Sequence, residues 1–457
     1  MKRMGVGMSS TKNTHAGHEY PRPPSRYSWY VVGVVTLAYI VSFVDRQIIT
    51  LLVEPIKQDL NLNDTQIGLL QGLSFALLYS FLGIPIGVLA DRISRTRIIT
   101  VGIVLWSLFT AACGLTRSFA TLFAARVGVG VGEAALTPSV HSMLADIFPA
   151  NELGKAISVY TLSMYLGSGV ALIAGGAVVE FLTSYGQIHL PVIGLLQPWQ
   201  STFFLVGAPG FLVALLMKTV REPRRQISHS SEAAGPSFGA TIAYLRKHFR
   251  LFGSLILGSS LQTMVAYGVI AWAPTVFIRL HGMNAANVGL IYGCLIAAAG
   301  AAGMLTGGWL SSWLQRSGKT AVTVRLAIAG LLIFWPVASI FPIVGNQTLC
   351  FLVLAIALFA QSFATGHLFT IFPLISPPEM RAQVSALHLF IANLIGFGLG
   401  PFLVGFLTDY YFEDPMALGR SLALVGVVVT PASIGCLIWS IAPYREYEKQ
   451  AADRAGA

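Results

Sequence analysis

The sequence predicts an all-α integral membrane protein, built from twelve transmembrane helices in two pseudo-symmetric six-helix bundles. Three observations carry this expectation. Of the 457 residues, 55% are hydrophobic and only 11% charged, against roughly 25% charged in a soluble domain. Mostly apolar runs, each long enough for the about 20 residues a bilayer crossing requires, recur twelve times. A single long polar stretch divides these runs six and six. The mean hydropathy of +0.70 agrees, as do 46 glycines and 22 prolines, which membrane helices tolerate better than soluble ones.

The elements follow in chain order. Residues 1–27 form a polar, proline-bearing N-terminal tail without the short apolar core and small-residue cleavage site of a secretory signal. The first apolar run is therefore expected to stay in the membrane. An N-terminal bundle over 28–217 holds segments near 28–52, 65–90, 97–116, 119–143, 153–183 and 199–217. Residues 218–248 read as a linker, with Lys218, Arg221, Arg224, Arg225, Arg246 and Lys247 around Pro223, Pro236 and a serine-rich stretch. A C-terminal bundle over 249–441 holds segments near 249–281, 285–314, 322–343, 346–375, 380–410 and 417–441, and 442–457 form a C-terminal tail. Runs longer than one crossing are accommodated by tilt. Strands of a β-barrel are excluded, because they alternate apolar and polar residues.

Charge gives the orientation. Of the 29 basic residues, Lys57, Arg117, Arg279 and Arg420 fall at one predicted face, Arg46 and Arg126 inside the membrane, and the remaining 23 at the face bearing both termini and the linker. Basic loops stay on the cytoplasmic side, so both termini are expected there. The net charge of +10 is thus a topology signal and calls for no nucleic acid. Cys113, Cys294, Cys350 and Cys436 lie in apolar runs without metal-ligand spacing and are read as small buried hydrophobes.

The halves resemble each other. The stretch IPIGVLADRISRTR (84–97) and the stretch LTGGWLSSWLQRSGKT (305–320) each end the second helix of their half, with Ser312 where the first half has Asp91. Glu152 with Ser158, opening the fifth segment, matches Glu379 with Ser385, opening the eleventh. Parallel repeats of this kind place a transport site between the halves near mid-membrane.

Charges within the apolar segments point to the site, since each costs several kcal/mol unless paired or hydrated. Asp45 and Arg46 lie in the first segment, Arg126 and Glu133 in the fourth. Arg126 and Glu133 are seven apart, so they share a helix face about 10 Å apart. A protonatable carboxylate beside fixed arginines suits a proton switch. A structural ion pair stapling the first and fourth helices is the alternative, although apolar packing would do that at lower desolvation cost. His141, His367 and His388 are intramembrane histidines; His367, beside Phe369 and Phe372, is the best placed of them for a cavity.

The run Gly87-x-x-x-Asp91-Arg92-x-x-Arg95 resembles the loop signature of the major facilitator superfamily, and Arg126-x-x-x-Gly130-x-Gly132 resembles its fourth-helix motif. With Asp45-Arg46 and Glu133, the resemblance narrows to the Spinster-like branch, whose members carry lysophospholipids or sphingosine phosphate. It implies a conformational gate of Gly87, Asp91, Arg92 and Arg95, and a proton-coupling network of Asp45, Arg126 and Glu133. It also implies that Arg46 faces an anionic head group, since a guanidinium bonds two oxygens at once. His367, Phe43 and Tyr79 complete the expected substrate-binding set. No proline accompanies the glycines of the fifth segment, which departs from the antiporter signature and leaves the coupling direction open.

The expected function is secondary transport of an amphipathic anionic lipid by alternating access, coupled to protons. The alternative is a proton-coupled carrier of a small organic anion such as a sugar acid. The chain is read as a monomer in a bacterial plasma membrane, with the bilayer, protons and an anionic small molecule or lysolipid as partners and no cofactor or metal. Enzyme motifs such as HExxH and GxSxG are absent. Gly318-Lys319-Thr320 lacks the leading glycine of a phosphate loop, because Trp313 stands in its place.

Overall fold

The computed structural model describes residues 23–90, 92–191, 194–225, 237–316, 321–377 and 379–456. Most of the N-terminal tail, the serine-rich part of the linker, Asp91 and Lys319 lie outside them. Twelve helices are long and apolar enough to cross a membrane: α1 Ser25–Leu51, α2 Asp64–Gly83, α3 Arg95–Cys113, α4 Phe119–Ile147, α5 Asn151–Tyr185, α6 Pro198–Met217, α7 Phe249–His281, α8 Ala285–Arg316, α9 Val322–Ile343, α10 Gln347–Ile375, α11 Arg381–Tyr411 and α12 Pro415–Gln450. The expected segments and these spans agree to within about four residues except at two ends: α2 as a span stops at Gly83 against an expected 90, and α12 runs to Gln450 against an expected 441. By alternation, both ends of the described chain and the linker share one face, here the terminal face. The connections α1–α2, α7–α8 and their counterparts lie at the far face.

Helix starts follow local chemistry. Apolar surroundings offer no water to unpaired backbone groups, so side chains supply the missing acceptors. Asn63 and Gln66 form a capping box at the start of α2, and Ser118, Asn284 and Asn346 cap α4, α8 and α10. Gly282, at φ 66°, ends α7 in the left-handed conformation that glycine adopts without strain.

Three features were not expected from the sequence. A hairpin of β1 (Ile188–Leu190) and β2 (Gly194–Leu196) joins α5 to α6. The linker contains a helix, Phe238–Lys247. The last helix continues to Gly456, through the segment expected to be a tail; Tyr444 there is buried, and Glu448 accepts from the Ala321 N–H.

The halves meet through glycines. A side chain on Gly68 would lie 2.5 Å from the Pro401 carbonyl, and one on Gly405 would collide with the Asp64 backbone, so α2 and α11 touch backbone to backbone. The related pair α5 and α8 does the same: a methyl on Gly169 would sit 2.7 Å from the Gly293 oxygen, and one on Gly176 2.6 Å from that of Ala285. Such close approach is what small residues permit in membrane interfaces.

Polar contacts seal the same end. Asp409 of α11 accepts from the Thr65 N–H (2.6 Å), the Thr65 hydroxyl (2.6 Å) and the Asp64 N–H (3.2 Å), thereby capping α2 from the opposite half. Arg279 of α7 bridges Asp64 (2.8 Å) and Glu54 (2.7 Å), and Lys57 adds a contact of 2.7 Å to Asp64. The far face is closed.

Candidate functional site

Beneath that seal, where the halves face each other, lies a cavity of ≈ 90 Å³ lined by α1, α2, α5, α7, α8, α10 and α11. Two π-helical turns border it, Ile296–Gly300 in α8 and Ala392–Phe397 in α11. Such turns re-aim side chains and are frequent at functional sites.

Asp45 and Arg46 are neighbours in α1, about 100° apart around the helix, and they meet different surroundings. Arg46 enters the cavity. Its guanidinium lies over Phe75 (4.3 Å to the ring centre), Phe43 (4.9 Å) and Tyr79 (5.4 Å), a favourable position against the negative ring faces. Its Nη2 donates to Glu133 Oε2 at 2.5 Å, and Ser42 donates to the same oxygen at 2.9 Å. Glu133 Oε1 and Arg46 Nε have no hydrogen-bond partner. Asp45 instead faces Trp106 and Thr110 of α3. It is fully buried, and neither of its carboxylate oxygens completes a hydrogen bond.

Arg126 is fully buried as well. It donates to the backbone carbonyls of Asp45 (2.9 Å) and Arg46 (3.4 Å). Just beyond, α1 tightens into the 3-10 turn Ile48–Leu51, and carbonyls at a helix end lack intrahelical partners and carry partial negative charge. Arg126 thus clamps the end of α1.

The four membrane charges come together as the sequence suggested, but their pairing differs. Glu133 binds Arg46, Arg126 holds backbone, and Asp45 stands apart. α4 is interrupted by a turn at Ala134–Ala135, between the helices Phe119–Glu133 and Leu136–Ile147, and Glu133 just before this turn reaches α1.

Of the expected substrate set, Phe43 lines the cavity and Tyr79 covers Arg46. His367 does not line it. Its ring fits the notch at Gly307, with Nδ1 2.6 Å from the Phe363 carbonyl. Phe369, two residues on and hence about 200° around the helix, takes the cavity position. His388 is buried, bonded to Ser259 at 3.0 Å and stacked on Phe372, while His141 is exposed.

In the loop signature, Asp91 lies outside the described residues. A side chain on Gly87 would meet Pro138 of α4 only at ordinary contact distance, and Arg92 is exposed. Arg95 is buried and bonded to Asp146 and, at 2.8 Å, to Glu222 beyond α6. Burial pulls the Glu222 carboxyl upward, but the Thr96 N–H, Arg95 and Ser94 outweigh it and hold the group below the ordinary carboxylate range.

Sequence reasoning missed the polar residues of the cavity wall, Gln71, Gln262, Gln361 and Thr365. Neutral side chains in an apolar run carry no burial penalty large enough to mark them out. It also missed the far-side lock of Asp64, Asp409 and Arg279. Two acids at opposite predicted helix ends were the available signal.

Known proteins agree with this architecture. A bacterial homolog of the human lysosomal transporter Spinster, solved in an inward-facing and unoccupied conformation, superposes with a TM-score of 0.76 at 30% identity over 93% of this chain and 98% of that one. An MFS-type efflux pump of Mycolicibacterium smegmatis is 29% identical over 97% of this chain and 98% of its own. A hexuronate transporter of Bacillus subtilis is 25% identical over 87% and 94%. Residues 35–401 match the Major Facilitator Superfamily model, and with two six-helix halves closing around one central cavity, the chain belongs to that superfamily of membrane transporters.

Proposed function

We propose that this transporter moves an amphipathic anionic lipid, of lysophospholipid or sphingosine-phosphate type, together with protons. The observation that carries the reading is the ion pair of Arg46, which lines the cavity, with Glu133. An anionic head group and Glu133 compete for one guanidinium, so protonating Glu133 frees Arg46 for the ligand. Proton and anion are then held in the same state of the carrier. Burying an unpaired carboxylate costs far more than burying a neutral acid, so Asp45 is assigned as uncharged in this arrangement. Arg126 then leaves the site a net positive charge once Glu133 is neutralised. Phe43, Met164, Tyr165 and Phe397 give the lining an apolar side, although a cavity of ≈ 90 Å³ would have to widen before it took an acyl chain. The basic residues of the terminal face argue that it is cytoplasmic, which makes the far-closed arrangement inward-facing.

A second reading is a small hydroxylated acid such as a sugar acid. It is favoured by Gln47, Gln71, Gln262 and Gln361 in the same lining and by the hexuronate transporter among the relatives. Flux into proteoliposomes under an imposed pH gradient, with lysolipids and sugar acids as parallel substrates, separates the two. Glu133→Gln is expected to abolish gradient-driven accumulation while substrate still binds. Undiminished accumulation in that variant would sink the proton-switch assignment.

A further inference from the structure

The cavity wall opposite Arg46 is polar without being charged. Thr365 of α10 donates its hydroxyl proton to the Gln361 carbonyl of its own helix (2.8 Å). Its oxygen then accepts from two side-chain amides, Gln262 Nε2 of α7 (3.1 Å) and Gln361 Nε2 (3.4 Å). One hydroxyl thereby fixes the orientation of two glutamines on different helices. Among the described residues, no protein group donates to the amide oxygen of either. One more group lining the same cavity, more than nine-tenths buried, is left unsatisfied: Gln71 Oε1, whose amide nitrogen is spent on the Ala271 carbonyl (3.3 Å). The buried Ser362 hydroxyl faces Tyr165 without completing a hydrogen bond of normal geometry.

Buried polar atoms in native proteins are nearly always partnered, and exceptions call for a reason. Here the unsatisfied and pre-oriented atoms are chiefly acceptors, so they call for donors. An ammonium donor is disfavoured, because the cavity lining contains Arg46 and no acidic residue. Within the proposed lipid class this selects the lysophospholipid type over the sphingosine-phosphate type, which carries an ammonium beside its hydroxyl. Neutral hydroxyls fit.

We propose that Gln262, Gln361 and Ser362, held by Thr365 and joined by Gln71, form a hydroxyl-reading subsite. The substrate is then an organic anion carrying a free hydroxyl close to its charged group. This rests on the assignment of Arg46 as the anion site and adds a second recognition point supplied largely by the other half. An anion lacking the hydroxyl leaves these amides unpaired in the cavity, which is the arrangement that rejects analogues most strongly.

The test uses the full-length protein in nanodiscs and two matched pairs of probes. One pair is an acyl-lysophosphatidate and its 2-deoxy analogue, an acyl-propanediol phosphate. The other is glucuronate and a deoxyglucuronate. In whichever pair binds in an Arg46-dependent manner, judged by loss in Arg46→Ala, the hydroxylated member is expected to bind at least about tenfold more tightly. Gln262→Leu and Gln361→Leu should bring that ratio towards one, and so should Thr365→Val, which keeps the side-chain shape while releasing both amides. Equal binding of the two members by the unmodified protein overturns the subsite and leaves the anion site standing; that comparison needs no variant to fold. A preference that survives all three substitutions overturns the assignment to these residues. Absence of Arg46-dependent binding in both pairs overturns the anion site, and the subsite with it.

Discussion

Arg46 is engaged by Glu133 and three aromatic rings at once, whereas the carboxylate of Asp45 beside it faces Trp106 and Thr110 without completing a hydrogen bond among the described residues. Both were legible in the sequence as charges in an apolar segment, because their burial is costly enough to make them rare. Their partners were not legible. Pairing depends on the rotation of α1 and on the turn in α4 after Glu133, and neither is written in residue spacing. His367 failed for the same reason, since adjacency to Phe369 in the chain places the two on opposite sides of a helix. If Asp45 is a neutral acid, Asp45→Asn should keep the protein's melting temperature in detergent within a few degrees while flattening the pH dependence of transport. A large fall in melting temperature would show that the carboxylate is charged and structural.

At the scale of elements, hydropathy placed the twelve helices well because bilayer thickness fixes their length. It overlooked the linker helix, the hairpin and the extension of α12, whose stability comes from caps and mixed polar packing rather than apolar length. Neither did it show which helices seal the far face, a matter of where glycines face each other across the halves. A side chain on Gly289 would lie 2.2 Å from the Leu172 carbonyl of α5, so there is no room for one. Gly289→Val should therefore exclude the far-closed arrangement. In a background without native cysteines, a cysteine at Gln47 is expected to react with an impermeant thiol reagent from the far side only in that variant. Gly33→Val, at a position with open space around it, should leave the labelling unchanged; equal labelling of both variants would refute the seal.

At the scale of the molecule, the linker is anchored at both ends to different halves. Glu222 grips the first turn of α3 in the first half and Arg225 the Ala90 and Ile93 carbonyls just before it, and Thr241 bonds to Gln383 of the second at 2.6 Å. Because Glu222 titrates below its unfolded value, its contact stabilises the fold above the ordinary carboxylate range, about pH 4. That contribution fades as pH falls through the lower folded value. Glu222→Gln should accordingly lower the melting temperature at pH 7, and the difference should shrink below about pH 4 and vanish once the pH is under the lowered folded value. A difference that persists there would assign the effect to packing alone.

The cap that Asp409 places on α2 belongs to the opposite half, and this gives the transport cycle an internal clock. Whenever the far face parts, the first turn of α2 loses the acceptor of its Asp64 and Thr65 amides and must find water instead. The frequency with which those two amides meet solvent is then the frequency of opening itself, written into the backbone by a carboxylate from the other side of the molecule.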